Sequence, residues 1–220
     1  MTVVVLLGGP GAGKGTQAQV LAGHLGIPHV STGDLFRSAV RDGSPIGLEA
    51  RRYMERGHLV PDDITIRMLL ARLSAADASG GAILDGFPRN RAQAAALDEA
   101  LAGRDGRVDR ALYIDVPEEE LVRRLSGRWI CAKAGHVYNE QTNPPRRPGI
   151  CDLDGSELIQ RVDDRADTIR TRLAEQLGAL ATVVDHYRST GVLRTVDGTG
   201  SIDAVTAGLL ATLADGRDAA

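Results

Sequence analysis

Short apolar runs recur along the chain, and between them apolar residues return every three or four positions. The runs are Val3–Leu7, His29–Ser31, Ala82–Asp85, Ala111–Val116 and Val192–Val196. Four of the five have apolar character without period-two alternation, which predicts strands covered by helices on both faces and hence a parallel sheet. The intervening periodicity predicts helices over Lys14–Leu25, Gly33–Asp42, Gly47–Arg56, Asp62–Ala76, Arg91–Ala102, Glu118–Gly127, Ser156–Ser189 and Ile202–Ala214. At one of these starts, Pro117 stands at the entry and Glu118, Glu119 and Glu120 fill the first turn, where the helix dipole favours acid. From Gly127 to Gly155 the helical period disappears. Gly, Pro, Cys and aromatic residues intersperse there, which predicts a small irregular or β-rich insertion.

Composition narrows the class. A chain of 220 residues, 43% hydrophobic and 25% charged, fits one globular core carrying small insertions and excludes a disordered polymer. Apolar runs such as Val3–Leu7 fall far short of the roughly 20 residues of a membrane span. The opening MTVVVLLGG has neither a basic segment nor a cleavage site, so a cytoplasmic protein is expected. Cys131 and Cys151 are the two cysteines, too few for a disulfide framework; a ligand or inert role is expected of them. A net charge of −3 argues against a general polyanion binder, so any anion site must be local. Arginine outnumbers lysine by 24 to 2, and 29 alanines accompany it. That pairing reads as coding bias, so position, not number, identifies the useful arginines.

Gly8-Gly9-Pro10-Gly11-Ala12-Gly13-Lys14-Gly15-Thr16 follows the first run directly and opens the first helix. Glycines let the backbone curl so that successive N–H groups point inward, the helix start adds positive potential, and Lys14 reaches outer phosphates. The residue after Lys14 is Gly15, with the hydroxyl delayed to Thr16. Other suggestive clusters also sit just after strands, where ligands of open parallel sheets collect. Taken alone, Ser31-Thr32-Gly33-Asp34 is equally a helix cap and Asp85-Gly86 equally a turn. Together, an acid closing a buried strand and an Arg opposite a phosphate loop supply a metal-side carboxylate and an anion clamp.

The glycine loop, Ser31-Thr32-Gly33-Asp34-Leu35-Phe36-Arg37, Gly57-His58-Leu59-Val60-Pro61-Asp62 and Leu84-Asp85-Gly86-Phe87-Pro88-Arg89 resemble the motifs of the adenylate kinases, of the long-lid type, within the nucleoside monophosphate kinases. The resemblance continues in order through Asp115-Val116-Pro117, Gly127-Arg128, Gln160-Arg161-Val162-Asp163-Asp164 and Val196-Asp197-Gly198-Thr199, nearly the whole chain. It implies an α/β P-loop NTPase three-layer fold with a five-stranded parallel sheet. The core would comprise residues 1–30, 61–126 and 165–220, with a helical monophosphate-binding insert at 31–60 and an irregular or β lid at 127–164. It also implies a monomer acting on ATP, AMP and ADP with Mg²⁺, with neither nucleic acid nor membrane as partner.

By the same resemblance ATP would lie on Gly11, Ala12, Gly13, Lys14, Gly15 and Thr16, with Arg128, Val137, Tyr138 and Gly200. AMP would lie on Thr32, Arg37, His58, Leu59, Val60, Gly86, Phe87, Pro88, Arg89 and Gln93, with Arg161 and Arg172. Thr32, Leu59 and Gln93 stand where the family favours adenine. Lys14, Arg89, Arg124, Arg128, Arg161 and Arg172 would surround the moving phosphoryl group, and Asp85 would hold Mg²⁺ through water. Arg161 and Arg172 are eleven residues apart, so a continuous helix from Ser156 would put both on one face. No nucleophilic side chain is required, because transfer between two nucleotides rests on alignment and charge neutralisation. The two inserts would close to exclude water.

Many long-lid relatives carry four metal ligands in the lid, as C-x₂-C followed by C-x₂-C or C-x₂-D. Here Ala134 occupies one of those places, and His136 could replace it, giving Cys131, His136, Cys151 and Asp154 as a structural zinc set. A metal-free lid held by hydrogen bonds and packing is the alternative. Other readings also stay open: a UMP, CMP or GMP kinase, or a GTP-using variant. A GTPase switch would need an Asn-Lys-x-Asp motif, which Lys14 and Lys133 do not supply. A nucleic-acid-binding zinc ribbon would have to rely on Lys133, Arg146 and Arg147, with no aromatic stripe beside them.

Overall fold

The computed structural model describes residues 1–214, and of residues 166 and 167 the backbone only; the last six positions of the expected core segment lie outside it. The strands are β1 (Thr2–Leu7), β2 (His29–Ser31), β3 (Gly81–Asp85), β4 (Arg110–Asp115), β5 (Arg128–Cys131), β6 (Val137–Asn139), β7 (Leu158–Ile159) and β8 (Leu193–Asp197). The helices are α1 (Lys14–Leu25), α2 (Thr32–Arg41), α3 (Pro45–Met54), α4 (Asp62–Leu73), α5 (Arg91–Ala102), α6 (Glu118–Ser126), α7 (Ala166–Ser189) and α8 (Ile202–Ala214).

Five strands form one parallel sheet in the order β2-β3-β1-β4-β8. Successive β1 side chains alternate between two separate cores. Val3, Val5 and Leu7 join α4, α5 and α7 through Leu69, Leu97 and Val183, whereas Val4 and Leu6 join α1, α6 and α8 through Leu21, Leu121 and Leu209. A strand buried on both faces cannot show polar alternation, which explains the continuous apolar run. Each such side chain withdrawn from water contributes about 1.5–3 kcal/mol, so these layers anchor the loops at the strand ends.

Two smaller units interrupt the layers. Between β2 and β3, α2 and α3 pack around Phe36, Ala50, Val60 and Ile64. Gly47 permits their close approach, since a Cβ there would lie 2.0 Å from the Ala39 carbonyl oxygen. The periodicity placed the start of α3 at Gly47, but Ser44 caps it by accepting from the Gly47 N–H and Pro45 follows at the first helical turn. Between α6 and α7 lies an antiparallel sheet, β6-β5-β7, over Cys131, Tyr138, Cys151 and Leu158.

The expected helix from Ser156 does not form there. Residues 157 and 158 give their backbone groups to Ala132 and Gly149, Leu158 pairs beside Cys131, and Val162–Asp164 make a 3₁₀ turn, so α7 starts at Ala166. Strand pairing with β5 competes successfully for those peptide groups. Among the described residues no helix is long and apolar enough to cross a membrane.

Candidate active site

The carboxyl ends of β1, β2 and β3 bring the glycine loop, Thr32 and Asp85 to one rim. Helix α1 begins at Lys14 behind a left-handed Gly13, and no side chain caps it. Its opening amide groups thus remain available for an anion. Lys14 Nζ donates to the carbonyls of Gly8 and Gly9 at 2.8 and 2.9 Å. Burial brings its pKa down to about 8; the Asp85 charge opposes this, while Arg89, Arg172 and Arg128 add to it. Lys14 therefore shares one electrostatic environment with an acid on β3 and arginines from three other segments.

Asp85 lies under the loop: a Cβ on Gly15 would be 3.5 Å from its Oδ2. Burial alone would raise its pKa, yet the hydrogen bond from His29 at 3.4 Å and the charges of Lys14, His29 and Arg89 hold it below the usual range. An ionised carboxylate at this place suits a hydrated Mg²⁺.

Arg89 is fixed by protein atoms. Its Nε donates to the Gly86 carbonyl at 2.7 Å and Nη1 to Gln176 Oε1 at 2.6 Å, and burial first, then Arg172, bring its pKa down to about 10. Thr32 Oγ1 donates to the same Gly86 carbonyl at 2.8 Å. Gly86 has φ 77° and no room for a Cβ, which would stand 2.9 Å from Thr32 Oγ1, so glycine is required there.

Arg161 and Arg172 do not share one helix face. Arg161 precedes the 3₁₀ turn and Arg172 lies on α7; both charges act on Asp163 between them. Asp164, with a fully buried side chain, accepts from Arg128 Nε at 2.7 Å, again from Arg128 Nη2, and from Arg172 Nη1 at 2.9 Å. Arg161 comes within 4.0 Å of Asp34, and burial, then Arg37, bring its pKa down to about 10. Arg124 stands apart from the Lys14 group, donating to Glu120 Oε1 at 2.7 Å and to the Gly198 carbonyl at 2.8 Å. Glu120 is held near a pKa of about 2 chiefly by its bond from Arg123, with Arg124 assisting against desolvation.

A cleft opens beside these arginines. Eight expected acceptor residues line it: Thr32, Arg37, His58, Leu59, Val60, Arg89, Gln93 and Arg172. Phe87 and Pro88 are buried next to it, and Arg161 is not among its walls. Glu175 of α7 holds one wall, accepting from the Leu59 N–H at 3.0 Å and lying 2.6 Å from His58 Nδ1. Of the residues expected on the donor side, Val137 is half-buried, Gly200 is exposed before α8, and Tyr138 turns inward. The Tyr138 hydroxyl accepts from the Asp152 N–H at 2.8 Å and lies 3.5 Å from Cys151 Sγ. What Tyr138 can offer a nucleotide is therefore not its hydroxyl.

The sequence reading missed the groups that aim these residues. Asp62 and Asp164 stand inside motifs of the resemblance with no role assigned to either, and His29, Gln176 and Glu175 carry no local signal.

In the β6-β5-β7 insertion, the ligand atoms of Cys131, His136, Cys151 and Asp154 all lie within 4.8 Å of one another. Cys131 Sγ is 3.1 Å from Asp154 Oδ2, His136 Nδ1 is 3.3 Å from Cys151 Sγ, and His136 Nδ1 is 3.8 Å from Asp154 Oδ2. A zinc tetrahedron with thiolate, imidazole and carboxylate donors has edges of about 3.3–3.8 Å, so the set fits such an ion after small adjustments. The Ala134 N–H donates to Cys131 Sγ at 3.1 Å, a bond that suits a thiolate. Both cysteines are free and buried.

A phosphate loop at the rim of a parallel sheet, with buried arginines and a cleft lined by two of them beside it, defines a P-loop phosphotransferase. Comparison with known proteins carries this further. The adenylate kinase family model matches residues 6–192. The chain is 49% identical over 210 residues to an adenylate kinase of Thermodesulfovibrio yellowstonii, covering 96% of this chain and 98% of the relative. It is 47% identical over 205 residues to that of Streptomyces griseus, with 93% and 94% covered, and 46% identical over 203 residues to that of Staphylococcus epidermidis, with 92% and 94% covered. The chain belongs to the adenylate kinase family.

Proposed function

We propose that this chain catalyses the reversible transfer of the γ-phosphoryl group of ATP to AMP, giving two ADP. The observation that carries this reading is that Arg89 and Arg172 line the cleft while Asp85, on the same sheet rim, lies under the glycine loop that carries Lys14. An AMP phosphate oxygen would attack the γ-phosphorus in line while the bond to the β-bridging oxygen breaks, leaving its electron pair on ADP. The glycine-loop amides and Lys14 hold the donor phosphates, Arg89 and Arg172 aim the AMP phosphate, and Arg128 and Arg161 neutralise charge on the group in flight. Arg124, directed by Glu120, supports the donor side from the Gly198 end. Mg²⁺, held through water by Asp85, would supply Lewis-acid neutralisation of the phosphate oxygens.

Residues 31–60 and 127–164 serve as the two moving covers that exclude water. The enzyme is read as a cytoplasmic monomer with no nucleic-acid or membrane partner. A structural zinc on Cys131, His136, Cys151 and Asp154 would stiffen the lid without touching the reaction. Purified protein expressed with zinc is expected to carry about one zinc per chain by elemental analysis, and Cys131→Ala to lose it with a lower Tm. Zinc near zero in the parent protein rejects the assignment.

The decisive assay compares ADP formation from ATP, AMP and Mg²⁺ with ATP alone. Fast ADP formation that depends on AMP is expected, with far slower turnover on UMP, CMP or GMP and with GTP as donor. A preference for another acceptor would select the rival kinase reading.

A further inference from the structure

The side-chain amide of Gln93 sits between two neighbours that dictate which way it faces. Its Oε1 accepts from the Arg89 backbone N–H at 2.8 Å, and its Nε2 donates to Asp62 Oδ1 at 2.7 Å. A backbone N–H can only donate and a carboxylate can only accept. Turning the amide over would therefore oppose N–H to N–H and carbonyl to carboxylate. Asp62 is itself held, because Asn90 Nδ2 donates to its two oxygens at 2.9 and 3.0 Å. Asn90 Oδ1 in turn accepts from the Gln93 backbone N–H at 2.9 Å, capping α5. Gln93 is 1% exposed, so bulk water cannot stand in for either partner.

We propose that Asp62 is a positioning residue that sets the base specificity of the acceptor cleft by locking Gln93 in this orientation. The inference rests on the reading that the cleft takes a 6-aminopurine monophosphate. A primary amide has two N–H groups and two lone pairs; with one of each engaged, Gln93 keeps one donor on Nε2 and one acceptor on Oε1. Gln93 lines the cleft, and on this proposal the remaining pair is what a base seated there meets. A 6-aminopurine presents an acceptor at N1 and a donor at N6, whereas a 6-oxopurine presents a donor at N1 and an acceptor at O6. The two edges are complementary to opposite orientations of the same amide. Whichever orientation is locked selects the base, and the discrimination comes from the misfit a flip would create against Asp62 and Arg89.

The test is kcat/KM for AMP and for IMP, at saturating ATP, in the wild type and in Asp62→Asn. Asn at this position can turn either its oxygen or its nitrogen to Gln93, which removes the stronger, charged half of the lock and leaves the Arg89 N–H as the one remaining constraint, while keeping the shape. The AMP-to-IMP ratio is expected to fall by about tenfold or more, with use of IMP rising in absolute terms and KM for ATP unchanged. A merely structural role would depress both acceptors together, and an unchanged ratio overturns the proposal. Asp62→Ser, read by the same ratio, serves if the first variant does not fold. A wild type that does not prefer AMP to IMP would instead defeat the reading of the cleft itself, before any variant is consulted.

Discussion

Replacing Arg89 by alanine is expected to lower kcat by about a thousandfold, in the range seen when a preorganised cation is removed from a phosphoryl-transfer site. The guanidinium is already aimed by the Gly86 carbonyl and Gln176, so little reorganisation is needed when charge develops beside it. The fold should not suffer. Burial and the Arg172 charge both work against the Arg89 cation, so its removal relieves repulsion that the folded state otherwise bears. A Tm equal to or slightly above that of the parent is expected alongside the fall in turnover, the usual opposition between stability and activity at such sites. Steady-state kinetics with AMP and ATP, paired with thermal unfolding, check both halves. Near-normal kcat would remove Arg89 from the reaction.

Asp164→Ala should fail in the opposite manner, losing stability as well as rate. Its carboxylate is the anion that Arg128 and Arg172 share. Without it the two guanidinium groups face each other with Asp163 as the remaining acid beside Arg172. Breaking a buried ion pair from one side costs about 3–5 kcal/mol, and a misplaced clamp costs about 10²-fold in rate. Denaturant midpoints and kcat are both expected to drop. Asp164→Asn, which retains hydrogen-bond capacity without the charge, should fall between the two. Wild-type kcat in the alanine variant would show that the pair does not depend on this acid for its aim.

The sheet, the glycine loop and most helices were legible because their causes are local. Helix α1 ends at Gly26, left-handed with φ 67°, and α5 starts behind the Asn90 cap; both spans were read to the residue. The start of α3 was also signalled, by Ser44-Pro45, but periodicity outweighed the cap. Other features have causes far along the chain. The N-terminal end of α7 was overrun because Glu157 and Leu158 answer to Ala132 and Gly149, which no periodicity reveals. The expected ligands were named from motifs, whereas their supports come from distant segments: Gln176 for Arg89, Glu175 for Leu59, Asp62 for Gln93. Asp163 and Asp164 close a recognisable motif, yet nothing local marks what they hold, and only tertiary packing buries Asp164 between two arginines.

Within five consecutive positions α7 reaches three clients. Arg172 meets the acids that precede the helix, Glu175 steadies the loop at His58 and Leu59, and Gln176 braces Arg89. Each turn of an α-helix fixes the azimuth of everything downstream, and one inserted residue swings it by about 100°. Drift in length can therefore be absorbed by the exposed bends of the lid, such as those near Gly135 and Gly155, but not by the rod between 172 and 176. That short span sets the reading frame, in space, for both halves of the molecule.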